Sequence, residues 1–186
     1  AQLLETTDAM EVVNGILIPA LDSAGKLFEQ GKIFLPQLIQ TAGVAQAAFE
    51  VIKTTLIERN AAPVSRGEIV LATVKGDIHD IGKNIVRVLL ENYGYTVLDL
   101  GRDVPCQLVA DTAREHGVKL VGLSALMTTT LGAMEETIQL VKQACPDCKV
   151  VVGGAVLTAD YAEKIGADFY AKDAMETVAV AKEVVG

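Results

Sequence analysis

Two periodicities divide the chain. Up to residue 60 the apolar residues recur at three- and four-residue steps, as in Leu38, Ala42, Ala45, Phe49 and Ile52, the spacing that lines one helix face. Gly31-Lys32 is expected to end one helix, with Pro36 near the start of the next, where a missing N–H costs nothing. Pro19 is placed to kink or divide the second helix. The pattern therefore predicts three or four short helices, a small bundle over residues 1–60. "NAAPVSRG" is small, polar and aperiodic, and residues 61–67 read as a linker. From there the period changes. Short β-branched runs at 68–74, 95–100, 119–123, 149–152 and 168–171 each lead into a stretch of helical spacing, the pattern of a parallel sheet covered on both faces. Five such units over 68–186 predict a doubly wound, flavodoxin-like α/β domain of the Rossmann-like type. Its usual strand order, 2-1-3-4-5, opens a crevice at the carboxyl ends of strands one and three.

Three loops fall at that edge: "GDIHDIGKN" (76–84) after strand one, "SALMTTT" (124–130) after strand three and "GGAVLT" (153–158) after strand four. A ligand site is expected there. The first loop is not a P-loop, because five residues separate Gly76 from Gly82 where four are required, and Asn84 stands where Ser or Thr should. A hydrolytic metal site lacks ligands: Asp77, His79 and Asp80 are the local candidates, and His116 lies near a helix end on the opposite edge. A phosphoacceptor domain would need an acid at the end of strand three, where Ser124 stands.

Composition narrows the partners. A net charge of -8 and a pI near 4.8 exclude the clustered cations of a nucleic-acid surface. With 51% hydrophobic residues there is ample core, yet no apolar run reaches the roughly 20 residues of a membrane span. A cytoplasmic protein is expected. "CPDC" (145–148) would close a helix rather than open one, so its dipole does not favour thiolates. Reduced, structural thiols are expected.

Asp77-x-His79-x-x-Gly82, then 41 residues, Ser124-x-Leu126, then 26 residues, Gly153-Gly154 resembles the signature of the cobalamin-binding modules of methyltransferases and base-off mutases. "GKIFLPQLIQTA" (31–42) resembles the helical cap of cobalamin-dependent methionine synthase and of the corrinoid proteins of methanol and methylamine metabolism. The resemblance spans essentially the whole chain. It implies a bound cobalamin, as methylcobalamin, with its own tail displaced and His79 as the cobalt ligand. Asp77 would fix the tautomer of His79, and Thr130, six residues past Ser124, would complete a relay. The imidazole and a proton would then exchange places as the methyl group leaves. Ser124, Leu126, Gly153 and Gly154 are implied around the displaced tail, with Asp80, Gly82 and Thr128 as further cofactor contacts. "DVPCQLV" (103–109) should flank the ring, and Phe34 and Leu38 either shield the methyl group or fill the bundle core.

No zinc-thiolate site or pterin-binding barrel is present to activate a donor or acceptor, so the resemblance implies a methyl carrier. Its partners would be methyl-donor and methyl-acceptor methyltransferase domains or subunits, and a reductive activation partner. The phrases "FLPQLIQTA", "LSALMTTT" and "YAKDAMETV" point first to methionine synthase, moving methyl from methyltetrahydrofolate to homocysteine. The start without Met fits an excised fragment of such a protein. Alternatives are a free-standing corrinoid protein of a methanol- or methylamine-type system, and a cobalamin-dependent regulatory sensor.

Overall fold

A computed structural model describes residues 4, 7, 9–58 and 65–186. The chain divides into two compact units, Ala1–Ser65 with Glu91–Gly94, and Arg66–Leu90 with Tyr95–Gly186. Of the expected linker, residues 61–64 lie outside the described residues, as does most of the first turn of the expected bundle.

In the first unit, α1 (Ala9–Val12) runs through a π-helical stretch, Val13–Leu17, into α2 (Ile18–Glu29). The wide turn lies next to Pro19. Proline donates no N–H, and the neighbouring Ile18 N–H reaches back five residues to the Val13 carbonyl. Gly31 ends α2 as expected: at φ +67 it allows its own N–H to bond the Phe28 carbonyl and the Lys32 N–H to bond that of Leu27, both at 2.9 Å. Pro36 sits at the second position of α3 (Leu35–Glu58). α3 is one helix of 24 residues, where the pattern predicts shorter ones. Its interior holds no proline, and a lone helical glycine, Gly43, costs only about 1 kcal/mol relative to alanine. No helix among the described residues is long and apolar enough to cross a membrane.

The second unit holds β1 (Glu68–Thr73), β2 (Thr96–Asp99), β3 (Leu120–Ser124), β4 (Lys149–Gly153) and β5 (Phe169–Tyr170). All pair in parallel in the order β2-β1-β3-β4-β5, the predicted topology. The helices between them are α4 (Ile81–Asn92), α5 (Cys106–His116), α6 (Leu131–Ala144) and α7 (Ala159–Lys164), with α8 (Ala174–Val184) last. Alternation sorts the strand residues onto two faces. Val70, Ala72, Val121, Leu123, Val150 and Val152 pack with Val109 and Ala113 of α5 and Met134, Ile138 and Val141 of α6. Each fully buried Val or Leu contributes about 1.5–3 kcal/mol relative to exposure.

The opposite face receives α8 and carries smaller side chains toward its carboxyl edge. Register aligns Leu71, Gly122 and Val151 in one row and Thr73, Ser124 and Gly153 in the next. At Gly122 a Cβ would come to 2.5 Å from the terminal methyl of Leu71, so a side chain there would require that leucine to shift. The three loops of interest leave from this edge.

Candidate functional site

β1 is extended beyond its last residue by a bridge between Val74 and Val104, and the chain then turns at Gly76, whose φ is +84. The turn delivers Asp77 into the interior, where it is fully buried. Both carboxylate oxygens are engaged. Oδ1 accepts the His79 backbone N–H at 3.0 Å and the His79 ring at Nδ1 at 2.8 Å. Oδ2 accepts the N–H groups of Leu126 at 2.7 Å and Met127 at 3.2 Å. Thr130 Oγ1 lies 3.2 Å from Oδ2, and also 2.8 Å from the Met127 carbonyl. A hydroxyl has a single hydrogen, so Asp77 and Met127 compete for it.

Burial alone would raise the Asp77 pKa. The N–H groups of His79 and Leu126, the His79 ring and the Met127 N–H outweigh that and hold it well below the usual carboxylate range. An ionised carboxylate only accepts, so Nδ1 must carry the ring hydrogen. That leaves Nε2 with a free lone pair on a side chain that is 46% exposed, and no described residue bonds it.

Large apolar side chains are exposed close to His79 in the chain. Ile78 is 60% exposed and Ile81 78%, flanking it in the same loop, while the exposed Leu126 stands next to the buried carboxylate. Neither isoleucine was among the expected site residues, although two large apolar side chains in a polar loop were a legible signal. Asp80 immediately precedes α4, half-buried, and its side chain does not join the Asp77 group; its carbonyl accepts the Asn84 N–H at 2.8 Å. Gly82 is exposed in the first turn of α4, with open space where a Cβ would be. Ser124 is half-buried beside Thr73 and Gly153, and Thr128 is exposed in the 3-10 turn Thr128–Thr130.

Two expectations change. Gly153 and Gly154 do not have one role: Gly154, at φ +136, lacks a side chain because a Cβ would collide with the Ala125 carbonyl oxygen, a demand of the fold itself. Gly153, half-buried on the sheet face, is less constrained; its Cβ would come to 3.1 Å from the Ala171 carbonyl oxygen. In the helical unit, Leu38 is buried whereas Phe34 is 68% exposed. The thiols match their sequence reading: Cys145 caps the end of α6, and burial, with Cys145 and Asp168 nearby, pushes the Cys148 thiol up to about 12. His116 ends α5 and pairs with Glu68 at 3.0 Å, at the amino edge of the sheet.

A family model described as a B12 binding domain matches residues 67–179, and a second of the same description matches residues 1–53. Dimethylamine corrinoid protein 1 of Methanosarcina acetivorans is 43% identical over 96% of this chain and 84% of that protein. A solved cobalamin-binding protein from Desulfitobacterium hafniense superposes with a TM-score of 0.84 at 33% identity, over 100% of this chain and 88% of its own. The methanol:cobalamin methyltransferase complex MtaBC of Methanosarcina barkeri gives a TM-score of 0.82 at 29% identity, covering 97% of this chain and 69% of that one. These relatives do not support the methionine synthase expectation; they favour its alternative, a corrinoid protein of a methylamine-type system. The phrases that pointed to methionine synthase lie in the cap and in the crevice loops and α/β unit of a cofactor module, which the two kinds of protein share, so they say little about the partner.

Proposed function

Because the chain belongs to the B12-binding family, we propose that it is a corrinoid protein carrying a methyl group between partner methyltransferases of a methylamine-type system. One observation carries the reading: a buried, ionised carboxylate holds Nδ1 of His79 and leaves Nε2 free at an exposed position. Imidazole held in this way is a good donor to a transition metal. When bound, cobalamin supplies a cobalt centre that accepts a methyl group and yields it to a nucleophile. His79 would hold the cobalt through Nε2, with Asp77 keeping the tautomer and strengthening donation. Unbound to metal, Nε2 can take up a proton, and the Asp77 carboxylate balances that charge. Metal and proton thus exclude one another at one atom.

The Thr73, Ser124 and Gly153 row suits the nucleotide tail of the cofactor. Its side chains are small, and Thr73 Oγ1 is buried without a hydrogen-bond partner among the described residues, where a buried hydroxyl ordinarily has one. Ser124 would donate to the tail, with Gly153, Leu126 and Thr128 lining its approach. Gly82 leaves room at the start of α4, next to Asp80.

Partner subunits would load and unload the methyl group, and a reductive partner would restore the carrier after oxidation. The test is to add hydroxocobalamin, remove the excess, and record the visible spectra of wild type and His79→Ala. Wild type should retain corrinoid with imidazole on cobalt, and the variant should lose that coordination. A wild type that retains nothing sinks the whole reading; an unchanged spectrum in the variant sinks the ligand role alone.

A further inference from the structure

Asp103 has the one positive φ outside glycine among the described residues, +52. It lies in the loop between β2 and α5, exposed, between Gly101 and the bridge residue Val104. A left-handed residue that is not glycine persists where its surroundings hold it. Here the hold is reciprocal. Asp103 Oδ1 accepts the Gly76 N–H at 2.6 Å, and the Asp103 N–H donates to the Asp77 carbonyl at 2.9 Å. The Asp77 N–H is already bonded to the Val74 carbonyl at 3.0 Å. Gly76 N–H, Asp77 N–H and Asp77 C=O are thus all fixed, two of the three by Asp103.

We infer that Asp103 is a positioning residue for the Asp77–His79 pair, clamping the backbone on either side of the Gly76–Asp77 peptide, at Gly76 N–H and Asp77 C=O, so that the buried carboxylate meets the imidazole at Nδ1. The inference rests on the reading of His79 given above. Asp103 touches neither side chain of the pair; it acts through the backbone that carries Asp77. A turn at Gly76 has wide conformational freedom, and a small rotation there would be amplified at the carboxylate, whose other acceptor, Oδ2, is tied to the separate loop at Leu126–Met127. The side chain of Asp103 is therefore needed, beyond any residue that merely tolerates its φ.

Three variants separate side chain from backbone. Asp103→Asn keeps an acceptor oxygen and tolerates the left-handed region. Asp103→Gly accepts that φ freely and keeps the N–H, removing only the side-chain acceptor. Asp103→Ala loses both. The primary readout is the imidazole tautomer in the protein without cofactor, from long-range proton–nitrogen spectra of histidine labelled with nitrogen-15. His79 should be the Nδ1–H tautomer in wild type and Asp103→Asn, and a mixture of both tautomers in Asp103→Gly. Hydroxocobalamin affinity should fall about tenfold in Asp103→Gly, in the range by which outer partners tune metal ligands, with Asp103→Asn near wild type. An unchanged tautomer in Asp103→Gly overturns the inference, whatever the cofactor does. Failure of wild type to bind hydroxocobalamin would instead defeat the proposed function, while a tautomer change in Asp103→Gly would still establish the clamp.

Discussion

Asp77 is the residue on which the site turns. A carboxylate taken fully out of water is costly unless its lone pairs are satisfied, and here four N–H groups, with a share in the Thr130 hydroxyl, meet its two oxygens. Asp77→Asn keeps the shape but turns an NH2 group toward donors. On whichever side the amide nitrogen lies, N–H groups face it without an acceptor, so the variant should lose about 3 kcal/mol of stability, read by urea unfolding. Asp77 and His79 were legible in the motif spacing. The Leu126 and Met127 donors were not, because a backbone N–H has no residue signature. Thr130 was legible as a hydroxyl near the carboxylate, but the second acceptor competing for its hydrogen came only from the turn geometry.

At the scale of elements, α4 is tied to β2 by an ion pair. Lys83, buried in the first turn of α4, reaches Asp99 of β2 at 2.6 Å, with Arg87 at 3.3 Å on the other carboxylate oxygen and the Gly101 N–H at 2.9 Å. This is where the lysine of "GKN" goes; its place after a glycine imitates a phosphate loop, while its charge is used inside the fold. Burial would raise the Asp99 pKa, but Lys83, Gly101 and Arg87 lower it below its ordinary 3.8. A carboxylate with a depressed folded pKa adds stability that is complete above the unfolded pKa and disappears as pH falls through the folded one. Asp99→Asn leaves the buried Lys83 ammonium its bond to Asn84 Oδ1 at 2.9 Å but removes its counter-charge, and should cost about 3 kcal/mol near neutral pH. The gap between wild type and variant should then narrow below about pH 4; a gap of constant size from pH 7 to pH 3 in thermal melts would refute the assignment.

For the whole molecule, the remaining question is which partners exchange the methyl group. The proposed reading predicts that the loaded, methylated protein is demethylated by a coenzyme-M-activating methyltransferase and not by a homocysteine-activating one, followed by the visible spectrum; the reverse result would restore the methionine synthase expectation. The sequence by itself determined the α/β class, the family and the loop holding Asp77 and His79, because short β-branched runs, period-3.6 patterns and a motif with fixed gaps are local properties of the chain; the strand order was legible only through the usual order of that fold. It expected short helices where α3 runs unbroken for 24 residues, since helix length depends on packing as well as on breakers. Tertiary structure alone decided how Asp77 is held, why Gly154 has no side chain, and what Asp103 does. Each of these depends on atoms from loops far apart in sequence meeting at one edge of the sheet, and Asp103 in particular is one more acidic residue in the chain until its carboxylate is seen on the Gly76 N–H.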